Sequence, residues 1–207
     1  MSNQEIYTIL LSLFPNARCD LNFLDPYQLT IAVLLSAQTT DVAVNKVTPV
    51  LFAKYPTVNE LAQAKQVDVE KIIHAIGLYH NKAKNIIALA KMIVAEYDQK
   101  IPDDRETLTK LPGIGRKSAN VIVAECFSVP AIAVDTHVER VAKRLGIAKW
   151  PDSILTTEQK LMKAFPADQW ISLHHLLIYF GRYRCKAQNP LCEGCPFLMI
   201  CQKDAQV

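Results

Sequence analysis

The sequence lacks a long uninterrupted run of apolar residues. The longest one, from Leu29 to Ala37, is broken by Thr30 and Ser36 and is too short to span a bilayer, which excludes a transmembrane helix there. The first fifteen residues contain Glu5 but neither a basic opening nor a small-residue cleavage site, so we expect no secretory signal. These absences predict a cytoplasmic protein in a reducing compartment.

Repeats of fixed period, low-complexity segments, blocks of like charge and strand-type alternation are also missing. Their absence argues against a repeat protein, a disordered chain and a β-rich fold. The chain has 207 residues, half of them apolar, which is enough for one domain of two lobes or for two small domains. Its 23 Lys and Arg against 20 Asp and Glu leave a net charge of only +3, a weak indication of a polyanionic partner.

Apolar residues recur at helical spacing along nearly the whole chain, which predicts an all-α fold. The clearest stripes cover residues 6–13, 29–34, 86–94, 138–145 and 173–180. Gly146 and Gly181 follow the last two stripes, in the place of helix C-terminal caps. The third stripe lies opposite a polar face that contains Lys82, Lys84 and Lys91.

The segment 111–117, which reads LPGIGRK, joins two predicted helices. Gly113 and Gly115 let the backbone turn sharply and leave no side chain over the first N–H groups of the second helix. Those unpaired donors lie at the positive end of a helix dipole and suit a phosphate. The pattern, with Leu111 at its start, is that of a helix-hairpin-helix that grips a DNA backbone without reading sequence. A simple helix–helix turn that needs two glycines is the alternative.

Arg116 and Lys117 distinguish this turn from an ordinary one. Cations in the first turn of a helix oppose its dipole by roughly 0.3–1 kcal/mol each, a cost that an anionic ligand offsets. For Lys117, the dipole and the neighbouring cation both disfavour the ammonium form and so favour a free, nucleophilic amine.

Asp135 directly precedes a predicted helix and is a good N-cap. A capping aspartate stays ionised, so it could also stabilise a cationic transition state or assist removal of a proton from Lys117. The helix that follows is locally basic, which a solvated face explains as well as DNA does. Its charged residues are Glu139, Arg140, Lys143 and Arg144, with Lys149 beyond them.

Four of the six cysteines are crowded near the C-terminus, whereas Cys19 and Cys126 stand alone and read as small buried hydrophobes. The four are Cys185, Cys192, Cys195 and Cys201, with six, two and five residues between them. In a reducing compartment this spacing predicts a metal site. Zinc is the alternative, but only one pair forms a short knuckle, and a single compact loop suits an iron–sulfur cluster better. Lys186 and its basic neighbours could contact phosphates or only solubilise the loop.

Taken together, these residues resemble the endonuclease III family of bifunctional DNA glycosylases, in the helix-hairpin-helix superfamily. The resemblance covers almost the whole chain. Its marks are 35–41 (LSAQTTD), 77–79 (GLY), 111–119 (LPGIGRKSA), 134–138 (VDTHV) and the cysteine loop 185–201. His80-Asn81 departs from the family, which more often has Asn directly after the tyrosine.

The resemblance implies two helical lobes with a DNA-binding cleft between them. One is a six-helix barrel at 19–129, and the other, 1–18 with 130–207, carries a [4Fe–4S] cluster. Lys117 would be the nucleophile and Asp135 its partner. Gln38 would enter the duplex where the damaged base leaves, and Leu78 would be a wedge on the opposite strand. The expected activity is removal of oxidised pyrimidines from double-stranded DNA and strand cleavage at the abasic site, by a nucleoid-associated bacterial-type monomer.

Two alternatives remain open on the sequence. Adenine-mismatch glycosylases share the hairpin, the aspartate and the cluster, but they typically lack the lysine and carry a further C-terminal domain. A non-catalytic module would use the hairpin and the cluster only to grip DNA, with salt-sensitive binding and no product.

Overall fold

A computed structural model describes residues 1–203 of the chain. Within these residues the protein forms eleven α-helices, two short 3-10 helices and no strand, which confirms the predicted all-α class. The α-helices are α1 Asn3–Leu13, α2 Pro26–Leu35, α3 Asp41–Lys54, α4 Val58–Ala62, α5 Gln66–Ile73, α6 Tyr79–Glu96, α7 Arg105–Leu108, α8 Arg116–Phe127, α9 Thr136–Arg144, α10 Ile154–Ala164 and α11 Trp170–Tyr183. The 3-10 helices are Ala167–Gln169 and Leu198–Ile200.

The chain divides into two compact units. Asp20–Phe127, here called the hairpin unit, contains α2 to α8. Met1–Cys19 together with the described part of Ser128–Val207, here called the cysteine-loop unit, contains the other helices. The descriptions of 19–129 as a six-helix barrel and of 1–18 with 130–207 as an iron–sulfur domain stay predictions.

Helix α2 is the centre of the hairpin unit. Its sequence is apolar almost all round, so it has no polar face to present to water, and eight of its ten residues are buried. It packs against α3, α6 and α8. The helix starts cleanly because Asp25 caps it and Pro26 occupies its first turn. No helix within residues 1–203 is long and apolar enough to cross a membrane.

The core of the cysteine-loop unit forms where α11 contacts α1 and α9. Its apolar residues include Leu10, Val138, Leu177 and Phe180, which are all buried. Gly146 has a φ of +74° just beyond α9, so its predicted capping role is confirmed.

The prediction that Gly181 ends its helix is wrong. Gly181 lies inside α11, which continues to Tyr183. A Cβ at this position would come within 2.9 Å of the His137 Cβ, so the glycine permits close packing of α11 on α9.

Candidate functional site

The turn between α7 and α8 holds the glycines that the sequence analysis singled out. The helix predicted to end near Lys110 is α7, a four-residue helix that ends at Leu108. Leu111 and Ile114 are buried and anchor the turn, and the Ile114 N–H donates to the Leu111 carbonyl oxygen at 3.1 Å. Gly113 is exposed with a φ of +81°, a conformation that favours glycine.

Gly115 opens α8 without capping it by a side chain. Its carbonyl oxygen accepts the first helical hydrogen bond, from the Ala119 N–H at 2.9 Å. Because glycine has no side-chain oxygen, Gly115 does not cap the N–H groups of Lys117 and Ser118, which suit an anion. Arg116 and Lys117 are both exposed in this turn. The local structure is therefore suited to holding a phosphate beside two cations.

Gly113→Ala and Gly115→Ala should separate the structural role of the turn from its binding role. A Cβ on Gly113 would lie 2.9 Å from Leu34 Cδ1 and would impose a strained φ, so we expect the free energy of unfolding to fall by about 2–3 kcal/mol. A Cβ on Gly115 meets no atom within 4 Å, so we expect a loss of at most about 1 kcal/mol there.

Urea denaturation would measure both unfolding free energies, and titration with duplex DNA would measure affinity. We expect Gly115→Ala to weaken DNA binding although it stays folded, because its methyl group would project into the open space from which a phosphate approaches the turn. Equal loss of stability in the two variants would contradict this account of the turn.

The Lys117 ammonium makes no hydrogen bond or ion pair with the described residues of its own unit. The side chain is exposed on the first turn of α8. An amine in this position is held by its helix yet remains accessible to a substrate, which a nucleophile requires.

Gln38 and Leu78 share an unusual backbone conformation. Gln38 has a φ of +53° and Leu78 a φ of +60°, and both side chains are exposed, Leu78 by 54%. Left-handed backbone is costly for a side chain such as leucine and persists where the surroundings enforce it, often at functional positions. The exposure of Leu78 excludes it from the core, where leucine is usually found.

Asp135 caps α9, as its position before the helix predicted. Its Oδ1 accepts hydrogen bonds from the His137 N–H at 2.9 Å and the Val138 N–H at 2.8 Å. Burial lowers the pKa of His137, and the guanidiniums of Arg140 and Arg182 reinforce this against the opposing charge of Asp135. His137 is therefore neutral at physiological pH.

The four clustered cysteines line the same apolar cavity. All four are free thiols, and Phe180, Leu191 and Phe197 form part of the same wall. Within residues 1–203, no group of three His, Cys, Asp or Glu side chains is arranged to hold a single metal ion. A cavity surrounded by four thiols fits a multi-atom cluster, in which each cysteine binds its own iron.

Basic residues of α9 form hydrogen bonds to the cysteine loop. The interpretation of these cations as a solvated face is wrong for Lys143 and Arg144, which are buried. The Arg144 Nη1 donates to the Lys186 carbonyl oxygen at 2.7 Å and to Cys185 Sγ at 3.4 Å. Arg140 donates to the carbonyl oxygens of Gly181 at 2.9 Å and of Cys185 at 3.1 Å. The two guanidiniums therefore hold the start of the cysteine loop.

For the remaining predicted residues, Lys186, Cys19 and Cys126, the observation that bears on the prediction is the degree of exposure. The Lys186 side chain is exposed, as a phosphate contact requires. Cys19 and Cys126 are half-buried, so the prediction of two buried cysteines was too strong.

Comparison with known proteins yields one family. Residues 31–167 match the model of the HhH-GPD superfamily base excision DNA repair proteins. The chain is 52% identical over 191 residues to endonuclease III of Bacillus subtilis (strain 168), an alignment that covers 92% of this chain and 87% of that protein. It is 42% identical over 206 residues to endonuclease III of Escherichia coli (strain K12), with 98% and 96% covered.

Solved structures give the same result. A trapped endonuclease III–DNA covalent intermediate, described as an estranged-adenine complex, matches with a TM-score of 0.94 at 49% identity and covers 100% of this chain and 98% of that chain. A thermostable thymine-DNA glycosylase shares the fold, with a TM-score of 0.84 at 23% identity over 99% and 97% of the two chains.

Proposed function

Because this chain belongs to the endonuclease III family of the HhH-GPD superfamily of base excision DNA repair proteins, we propose that Lys117 is its nucleophile. The protein is a DNA glycosylase that acts in base excision repair. The observation that carries the proposal is the accessible amine of Lys117 at the exposed start of α8, directly after the glycine turn. Its substrates would be oxidised pyrimidines in double-stranded DNA, and abasic sites.

The reaction begins when the damaged nucleotide leaves the stack, at a cost of a few kcal/mol that is lower for poorly stacked lesions. The Lys117 nitrogen forms a bond to C1′ as the bond from C1′ to the base breaks, and the electron pair leaves with the base. Loss of the amine proton and opening of the sugar ring give an iminium. This iminium acidifies a C2′ proton, whose removal expels the 3′ phosphate and cuts the strand, after which water releases the enzyme.

Asp135 would act by its charge. Positive charge develops on the sugar as the base leaves, and an ionised carboxylate nearby lowers the energy of that state. The capping bonds from His137 and Val138 support this role, because they use Oδ1 and hold the carboxylate in one orientation. The carboxylate could also accept the proton that the amine loses.

DNA contacts would come from three places. Backbone N–H groups of Gly113 and Gly115, together with the Arg116 side chain, would hold one phosphate region without reading sequence, while buried Leu111 anchors the turn that presents them. Gln38 would occupy the space that the extruded base vacates, and Leu78 would act as a wedge on the opposite strand. Lys186 would add a further phosphate contact. Because contacts to backbone phosphates hold a protein on DNA of any sequence, the protein would associate with the nucleoid.

Cys185, Cys192, Cys195 and Cys201 would hold a [4Fe–4S] cluster. The apolar cavity and the guanidinium of Arg144 at Cys185 Sγ support this proposal, since thiolates carry negative charge. When bound, the cluster would stiffen the loop that presents Lys186. Base excision transfers no electrons, so no step of the reaction needs the cluster.

Cys192→Ala should remove the cluster and its brown colour, because one of four iron ligands is lost. Cys126→Ala is the matched control, since this cysteine lies on α8 in the other unit, and we expect it to keep colour and iron. Iron and sulfide analysis would decide between metals: about four of each per chain supports the cluster, whereas about one zinc without sulfide supports the alternative site.

A borohydride trap tests the proposed function. The protein is incubated with a duplex that carries one thymine glycol, reduced, and resolved on a denaturing gel. We expect a covalent protein–DNA band, together with a cut strand in the unreduced sample. An intact strand and no band, from protein with the brown colour of an assembled cluster, would contradict the proposal and favour a water-using glycosylase or a module that only binds.

A further inference from the structure

Lys82 is a buried cation in the second turn of α6. The sequence pattern placed it on the polar face of this helix, but only 4% of the residue is exposed. Its Nζ donates to Thr39 Oγ1 at 2.6 Å, and it forms no ion pair within residues 1–203. Burial lowers the pKa of this lysine. An apolar side chain of the same length would fill the site without the cost of desolvating an ammonium, so packing alone does not explain a lysine here.

The hydrogen bond from Lys82 reaches the turn that contains Gln38. Thr39 Oγ1 accepts from Lys82 and donates to the Ala37 carbonyl oxygen at 3.4 Å, while the Thr39 N–H donates to the Ser36 carbonyl oxygen at 3.0 Å. Hydrogen bonds therefore hold the chain in place on both sides of Gln38. Gln38 itself projects, exposed, at a φ of +53°.

The backbone of Lys82 reaches the other projecting residue. Its N–H donates to the Leu78 carbonyl oxygen at 3.0 Å, in the first helical hydrogen bond of α6. One residue thus contacts both segments: the backbone of Lys82 holds Leu78, and its ammonium holds the turn around Gln38.

We propose that Lys82 is a positioning residue that joins the Gln38 turn to the Leu78 turn and fixes their separation before DNA binds. This inference rests on the proposed function, in which Gln38 enters the space left by the damaged base and Leu78 acts as a wedge on the opposite strand. A fixed separation means that less conformational freedom is lost when the two side chains enter the duplex. Lys82 acts through Thr39 and touches no reacting atom.

The proposal predicts that base excision and abasic-site cleavage respond differently to loss of the hydrogen bond. Excision requires a base to leave the stack, and the two projecting residues would stabilise that state. A preformed abasic site has no base to extrude, so it needs this help much less. A residue that served only general stability would affect both activities together.

Lys82→Met and Thr39→Val each remove one partner of the hydrogen bond and nearly preserve side-chain volume. We expect either variant to slow single-turnover excision of thymine glycol roughly 10- to 100-fold, as for modest misplacement of a substrate-positioning group. Cleavage of a preformed abasic site should change less than about threefold. The double variant should be little slower than either single one, because both remove the same interaction. Thr39→Ser, which keeps the hydroxyl, should restore excision.

Lys91→Met, an exposed lysine on the same helix, is the matched control and should leave both rates unchanged. Thermal unfolding would show whether each variant is folded at the assay temperature. If Lys82→Met does not fold, Thr39→Val still tests the contact, since its side chain lies in a half-buried turn.

Excision at the control rate in folded Thr39→Val would overturn the proposal, and so would a parallel fall of both activities. Failure of the proposed function itself would look different. It would appear as absence of excision and of the trapped band in the unaltered protein, before any change at Lys82.

Discussion

Lys117→Ala is expected to abolish the borohydride-trapped band and to lower strand cleavage by at least about 10³-fold, equivalent to about 4 kcal/mol of transition-state stabilisation. The physical reason is direct: alanine has no amine to bond to C1′, so neither the Schiff base nor the elimination that depends on it can form. Binding to a duplex with a non-cleavable abasic analogue should weaken less than tenfold, because only one phosphate-region cation is removed.

Arg116→Ala is the matched control, since Arg116 is the neighbouring exposed cation on the same helical turn. It should weaken DNA binding and reduce the slope of log affinity against log salt by about 1, yet form the trapped band at saturating protein. If Lys117→Ala still traps while Arg116→Ala does not, the nucleophile has been assigned to the wrong residue. If neither change affects product, the turn only binds DNA.

Local sequence features predicted most of the fold because they act within a few residues. Helix α9 is the clearest case: its apolar stripe, Asp135 as N-cap and Gly146 beyond its end define the helix from the sequence alone. Gly181 follows an apolar stripe as Gly146 does, so the sequence pattern predicted a helix end there as well. Its actual role is different. It makes room for His137, a contact between residues more than forty positions apart, which no local pattern reveals.

In the candidate site, too, the sequence predicted the features that depend on neighbouring residues and missed those that depend on distant contacts. The cysteine spacing and the glycine turn are local, so the sequence alone predicted the loop and the hairpin. The sequence pattern put Lys82 and Arg144 on solvent-exposed helix faces, because lysine and arginine side chains are usually exposed. Their hydrogen-bond partners, Thr39 and the carbonyl oxygen of Lys186, lie about forty residues away along the chain. Gln38 and Leu78 were found only through the family resemblance, since neither residue type signals a positive φ.

Asp135→Asn is expected to lower the excision rate by about 100-fold or more while changing the free energy of unfolding by less than about 0.5 kcal/mol. Asparagine keeps a side-chain oxygen that can accept the same two hydrogen bonds, from the His137 and Val138 N–H groups. It removes only the negative charge. Asp135→Ala should lose both properties, with about 1 kcal/mol of stability lost in addition to the fall in rate. Single-turnover excision and urea denaturation would measure the two effects separately.

Asp104 provides the comparison that decides between charge and capping. It caps α7 in the same way, with Oδ1 accepting from the Thr107 N–H at 2.8 Å. Because asparagine caps a helix about as well as aspartate does, Asp104→Asn should leave both stability and excision nearly unchanged. If Asp135→Asn behaves like Asp104→Asn, Asp135 is a cap and nothing more, and the positive charge on the sugar must be stabilised by another group. If only Asp135→Asn slows excision, its carboxylate combines two roles: the hydrogen bonds that start α9 also orient the charge that the reaction requires.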